Sequence, residues 1–253
     1  MLKELLQSGR SVLGTTCRIV KNPAVTHIAK NSGLDFILYD AEHAGYDMET
    51  LHDLFLMGRT VGISSLVRVP TLGREWVSRV LDQGADGVIL PMVESREQAE
   101  TLVRWAYYPP IGNRGFGTAI AHCDYMGGKT AEIIKKSNYH TLVAIQIETE
   151  LGIEHAEEIA AVEGVDVLLI GVANLACSYG CPGDPMNEKI LNGIRRAAKA
   201  CRANKKVLAL PGPLKLVEQF KHDTRMVLLY TDTNMLIGGM RKILTDCKEI
   251  GLR

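Results

Sequence analysis

Between residues 142 and 180 the chain reads LVAIQIETELGIEHAEEIAAVEGVDVLLIGVANLACSYG. Two apolar runs of strand length, residues 142–147 and 165–170, flank one amphipathic segment of helical length, and this order spells a βαβ unit. Parallel strands joined in this way cross over with one hand and gather ligands beyond their carboxyl ends. Glu148 and Asn174 stand just past those two ends.

The same alternation runs through the rest of the chain. Strands are expected at residues 11–17, 35–39, 64–69, 87–90, 206–210 and 225–229. Pro23 opens a helix that Gly33 closes, and helical spacing recurs at 48–59, 73–83, 129–137, 185–204, 213–221 and 232–250. Ser95 with Gln98 three residues on makes a capping box for a further helix to about Tyr107, which Pro109 and Pro110 stop. Residues 109–128, PPIGNRGFGTAIAHCDYMGG, read as a long loop of the kind that carries function.

Eight strands, each followed by a helix or helical turn, predict an α/β fold, a (β/α)8 TIM barrel. An open doubly wound sheet is the alternative, but neither GxGxxG nor a P-loop is present. With no break in composition, residues 1–253 are read as one TIM-barrel domain.

The 29 basic and 29 acidic residues balance, so nothing points to nucleic acid or to an anionic membrane as partner. No apolar run approaches the roughly 20 residues of a spanning helix, and the start has no pattern of a secretory signal, so a cytoplasmic location is expected. Six dispersed cysteines suit reduced thiols; Cys177 and Cys181 lack the second ligand pair that zinc requires.

If the barrel closes, its mouth collects the residues that follow the strands. These are Asp40, Glu42 and His43 after strand two, Arg68 after strand three, Gln146 and Glu148 after strand five, Asn174 after strand six and Asp232 after strand eight. Glu148 is a hard oxygen ligand suited to Mg²⁺ or Mn²⁺. Arg68 offers a planar fork to a carboxylate or a developing enolate oxygen. His43 can move a proton near neutral pH if Asp40 orients it.

Several motifs in this order, LDFILYDAEH, Arg68 with Val69 and Pro70, GADGVILPMVES, YYPPIGNRGFG, AIQIETELG and VEGVDVLLIGVANL, resemble those of the HpcH/HpaI aldolases. These are class II, metal-dependent enzymes acting on pyruvate-type substrates, and macrophomate synthase is similar to them. The resemblance implies that His43 is the general base with Asp40 as its partner, and that Arg68 contacts the oxo group and enolate of a small-molecule 2-oxo acid. It makes Glu148 a metal ligand with Gln146 beside it, places the substrate carboxylate on the backbone amides around Ala173 and Asn174, and has residues 114–117 shape a neighbouring loop. It further implies a homo-oligomer, a hexamer built from dimers in which a neighbouring subunit completes the site, and the closing helix at about 232–250 is expected in those contacts.

One position departs from the family pattern. Where relatives read Gly-Pro-x-Asp-Leu-Ser, this chain reads Gly171, Val172, Ala173, Asn174, Leu175, Ala176, so the second metal-ligand aspartate is Asn174. An ion there meets one negative charge fewer. Three readings follow: metal-dependent retro-aldol cleavage of a 4-hydroxy-2-oxo acid, which is the expectation; a repurposed family member catalysing decarboxylation, dehydration, isomerisation or cyclisation of a different, larger substrate with weak or no metal dependence; and a catalytically silent barrel, against which the joint presence of His43, Arg68 and Glu148 speaks. Tyr46, Phe116, Tyr125 and Met126 are candidates to line the space for the larger half of a substrate. His122 and Asp124 are candidates to reach a neighbouring subunit's site.

Overall fold

Strands buried on both faces need apolar side chains in unbroken runs rather than in alternation, and those runs become strands here. In the computed structural model, which describes residues 1–252, the chain opens with helix α1 (Leu2–Gln7), strand β1 (Val12–Cys17) and α2 (Ala24–Asn31). It continues through β2 (Phe36–Asp40), α3 (Met48–Val61), β3 (Ser64–Arg68), α4 (Arg74–Asp82), β4 (Gly87–Leu90) and α5 (Arg96–Ala106). After a long loop come α6 (Thr130–His140), β5 (Leu142–Ile147), α7 (Glu150–Glu154), α8 (Ala156–Ala160), β6 (Val167–Ile170) and α9 (Val172–Ser178). Helix α10 (Glu188–Ala203), β7 (Val207–Pro211), α11 (Leu214–Gln219), β8 (Thr224–Thr231) and α12 (Asp232–Glu249) complete it.

The strands pair in sequence order, all parallel, and β8 returns to β1, so the sheet is a closed (β/α)8 TIM barrel. Apolar side chains form two layers: one fills the barrel interior, including Phe36, Leu66, Ile89 and Leu169, and the other lies between strands and helices. Register matters at the mouth, where Asp40 of β2 stands opposite Arg68 of β3.

The structure differs from the pattern read along the chain at several points. The opening residues form α1, whose Leu2 and Leu6 join the barrel-interior layer and close its floor. Between β5 and β6 the single expected helix is two, α7 and α8, divided at His155, whose ring Nδ1 donates to the Glu94 carbonyl at 2.6 Å. Strand β8 runs two residues further than expected, to Thr231, which carries its end up to the mouth. The Ser95 and Gln98 capping box forms as expected. Among the described residues all six cysteines are unpaired, and no helix is long and apolar enough to cross a membrane.

The floor is held by charge as well as by packing. Lys3 Nζ lies 3.0 Å from Asp166 Oδ1 and donates to the Tyr107 hydroxyl and the Thr141 carbonyl, each at 2.9 Å. Removing one member of a mostly buried ion pair strands the other. Lys3→Met is therefore expected to lower unfolding free energy by about 3 kcal/mol, measured by urea denaturation at pH 7. Adding Asp166→Asn is expected to recover part of that loss; a double variant no more stable than Lys3→Met alone would assign the effect to lost packing of the lysine stem.

Candidate active site

Asp40 ends β2 with its side chain fully buried, a position a carboxylate tolerates only with strong partners. Arg68, its cross-strand neighbour, grips both oxygens: Nε donates to Oδ1 at 2.9 Å and Nη2 to Oδ2 at 2.6 Å. A second guanidinium reaches the same carboxylate, Arg18 Nε donating to Oδ2 at 2.8 Å. Burial pushes the Asp40 carboxyl up, but the hydrogen bonds and charge of Arg68, with that of Arg18, outweigh it and hold the group below its ordinary value.

This geometry corrects the expected role of Asp40. Its oxygens are taken by two guanidiniums, and from His43 it receives only the backbone N–H, at 3.3 Å. The acid beside the imidazole is Glu42, with Oε2 at 3.7 Å from His43 Nε2. The same Glu42 oxygen stands 3.0 Å from Arg68 Nη1 as an ion pair without aligned hydrogen-bond geometry. Burial raises the Glu42 carboxyl, and the charges of Arg68 and His43 offset only part of that rise. The His43 ring itself is half exposed at the mouth.

Gln146 and Glu148 are two apart on and just beyond β5, so they project to one side, into the barrel. Glu148 is 1 % exposed and its oxygens are already served: Met92 N–H donates to Oε1 at 2.9 Å, while Gln146 Nε2 and Asn174 Nδ2 both donate to Oε2 at 2.7 Å. Gly171 allows this approach, since a Cβ there would lie 2.6 Å from Glu148 Cβ. Asn174 sits in the first turn of α9, not in a turn beyond the strand.

The arrangement decides how well the site suits an ion. A divalent cation draws oxygen atoms toward itself, yet both amides present N–H₂ to the one carboxylate. Reversing either amide would set two acceptor oxygens 2.7 Å apart with no proton between them. Among the described residues no group of three His, Cys, Asp or Glu side chains converges on a point. The two expected metal ligands, Glu148 and Asn174, are thus a carboxylate and its amide donor, one negative charge short of the carboxylate pair that best suits Mg²⁺ or Mn²⁺.

One cavity of about 560 Å³ collects His43, Arg68, Gln146, Glu148, Ala173 and Asn174, with Asp40 beneath it. Arg18, which the reading of strand ends passed over although it directly follows β1, lines the same space. A smaller cavity of about 200 Å³ under the long loop lies away from this mouth, and its arginines are already paired, Arg59 with Asp124 and Arg114 with Asp82.

The loop residues expected at the substrate or at a neighbour's site are engaged within their own chain. Asp124 binds Arg59 at 2.6 Å and His122 Nε2 lies 3.4 Å from the Tyr108 hydroxyl. Tyr46 donates to the Val20 carbonyl at 3.0 Å, Tyr125 meets His52 at 3.0 Å and Phe116 packs edge-on to Tyr108. None of these, nor Met126, lines the mouth cavity.

The Asp40 cage carries a pH signature. A carboxyl held below its unfolded value adds stability above the ordinary carboxyl range, and that contribution is lost as pH falls through the folded value. The melting-temperature difference between the native chain and Asp40→Asn is expected to be full at pH 7 and to shrink below about pH 4. A difference independent of pH would mean that shape, not charge, sets the value of Asp40.

Comparison with known proteins identifies the family. The family model described as HpcH/HpaI aldolase/citrate lyase matches residues 19–226. A 4-hydroxy-2-oxovalerate aldolase of Rhodococcus jostii is 32% identical over 92% of this chain and 90% of its own length. A hydroxypyruvate/pyruvate aldolase of Roseovarius nubinhibens is 34% identical over 79% of this chain and 77% of its own. The crystal structure of an HpcH/HpaI aldolase from Desulfitobacterium hafniense superposes with a TM-score of 0.95 at 31% identity, covering 100% of this chain and 99% of that one. The chain belongs to the HpcH/HpaI aldolase/citrate lyase family and is an enzyme of the lyase class.

Proposed function

We propose that this enzyme cleaves the carbon–carbon bond of a 4-hydroxy-2-oxo acid through a pyruvate-type enolate. The observation that carries the reading is the convergence of His43, Arg68 and Glu148 on one cavity, with Arg68 clamped by Asp40. His43 takes the proton from the C4 hydroxyl, the C3–C4 bond breaks to release an aldehyde, and the electron pair spreads from C3 onto the C2 oxygen. Arg68 keeps N–H groups on both Nη atoms for that oxygen, and its grip on Asp40 means that no reorganisation is needed as charge develops. Return of a proton to C3 completes the 2-oxo acid. The amides of Ala173 and Asn174, on the cavity wall, receive its carboxylate.

Family membership brings the expectation of a divalent metal, and the donor set argues for chemistry that does not depend on one. The Asn174 amide gives Glu148 the positive partner that an ion would otherwise supply, so no step above runs through a metal. Proton exchange at the methyl group of pyruvate, followed by NMR in D₂O, tests both halves. Exchange is expected to persist within about twofold in chelator, to fall about 100-fold or more in His43→Ala, and Asn174→Asp is expected to acquire a Mn²⁺-dependent thermal shift. No exchange, and no cleavage of any 4-hydroxy-2-oxo acid with or without metal, would overturn the aldol-cleavage reading. Exchange abolished by chelator and restored by Mn²⁺ would overturn the ion-independent one.

We also propose a homo-oligomer in the cytoplasm, a setting that suits six unpaired thiols. Support for assembly comes from α12, whose one buried residue is Asp232, while Met235, Leu236, Ile237, Met240, Ile243 and Leu244 stand exposed. An apolar face of this extent calls for a partner, here a second copy of the chain. Light scattering is expected to report an oligomer for the native protein and a smaller species for the Met240→Lys, Ile243→Lys variant; a native monomer at micromolar concentration would remove the proposal.

A further inference from the structure

The residue at this mouth with most unspent capacity is Arg18. Its backbone is fixed: the N–H groups of Arg18, Ile19 and Val20 all donate to one oxygen of Asp232, Oδ2, at 3.0, 2.8 and 2.9 Å. Burial by itself would raise the Asp232 carboxyl, yet these backbone donors, with that of Thr233, hold it below its ordinary value, so the anchor stays anionic. Its side chain is fixed at one point as well, through Nε to buried Asp40. Among the described residues the two Nη nitrogens meet no acceptor, and the side chain is 42% exposed on the wall of the mouth cavity.

An arginine on an open surface is normally mobile and hydrated. Here the guanidinium is pre-oriented at both ends, and its remaining fork faces the space where the substrate lies. Arg18 and Arg68 share Asp40 Oδ2, so the two guanidiniums stand side by side. Asp40 carries one negative charge for the pair, and Glu42 lies against Arg68, not Arg18. The donors left over are the Nη groups of Arg18. A planar fork of this kind matches a carboxylate with two parallel hydrogen bonds.

We propose that Arg18 binds a second carboxylate of the substrate, and that the enzyme therefore prefers 2-oxo dicarboxylic acids to acids with a neutral tail. The assignment rests on the aldol-cleavage reading for the placement of the 2-oxo end at Arg68. Leu38, Pro211 and Leu228 line the same cavity, apolar surface beside which an ion pair is less screened than in open water. A methyl group in the place of that second carboxylate would leave the fork's N–H donors unanswered.

Two non-cleavable ligands of equal carbon number isolate the contact. Binding of 2-oxoglutarate and of 2-oxopentanoate, which carries a methyl group in place of the distal carboxylate, is measured by calorimetry on the native protein, Arg18→Gln and Arg18→Lys. The native protein is expected to favour 2-oxoglutarate by about tenfold or more, with the ratio collapsing toward one in Arg18→Gln and partly kept in Arg18→Lys. A ratio near one in the native protein overturns the proposal whether or not the variants fold. So does an unchanged ratio in Arg18→Gln, including the case in which both ligands weaken in parallel, as a merely structural role requires. A preserved binding preference in a protein that exchanges no pyruvate protons and cleaves no 4-hydroxy-2-oxo acid would sink the aldol-cleavage reading and leave the assignment of Arg18 standing.

Discussion

One buried carboxylate organises the mouth of this barrel. Asp40 is fully enclosed, and the cost of enclosing a charge is met by two guanidiniums arriving from neighbouring strands, Arg68 from β3 and Arg18 from the end of β1. Each arginine is thereby oriented before any substrate arrives. Parallel register makes the arrangement possible, because it brings Asp40 and Arg68 level at the carboxyl end of the sheet. Catalysis by pre-set charge depends on groups that need not move when charge develops, and Asp40 supplies that stillness without facing the substrate cavity.

Across the cavity the opposite solution is used. Glu148 is as deeply buried as Asp40, but its partners are neutral: a backbone N–H and two side-chain amides. An aspartate at position 174 would set two anions face to face and demand a cation between them. With asparagine the demand disappears, since the N–H₂ group donates to the same oxygen. One atom at one position thus separates a pair of charges that would call for an ion from the closed hydrogen-bond network found here.

Much of this was legible in the sequence, for physical reasons that also mark where legibility ends. Strands such as β5 and β6 are apolar on both faces, so their runs stand out without any periodic signal. Residues just beyond strand ends point to a shared mouth once the barrel is inferred, which located His43, Arg68, Gln146, Glu148 and Asn174. Partnership was harder: Asp40 is three residues from His43 and so read as its companion, whereas the closed sheet brings it to Arg68 and Arg18. Arg18 satisfies the same strand-end rule, but CRIVKN gives no hint of the buried acid that makes it more than a solvated turn residue. The direction in which Asn174 turns its amide, and the division of the helix at His155, arise from neighbours distant in sequence and leave no local trace.

Asp232 ties the first turn of α12 to the loop that follows β1. It is the first residue of α12, the helix whose outer face lacks a partner within the chain, and its carboxylate is also the anchor for the loop that carries Arg18. One carboxylate oxygen that accepts three successive backbone N–H groups leaves that loop little freedom, so the guanidinium at the rim of the cavity is positioned from the first turn of α12. The helix that presents the uncovered apolar face and the arginine at the rim of the cavity thus share one fixed point.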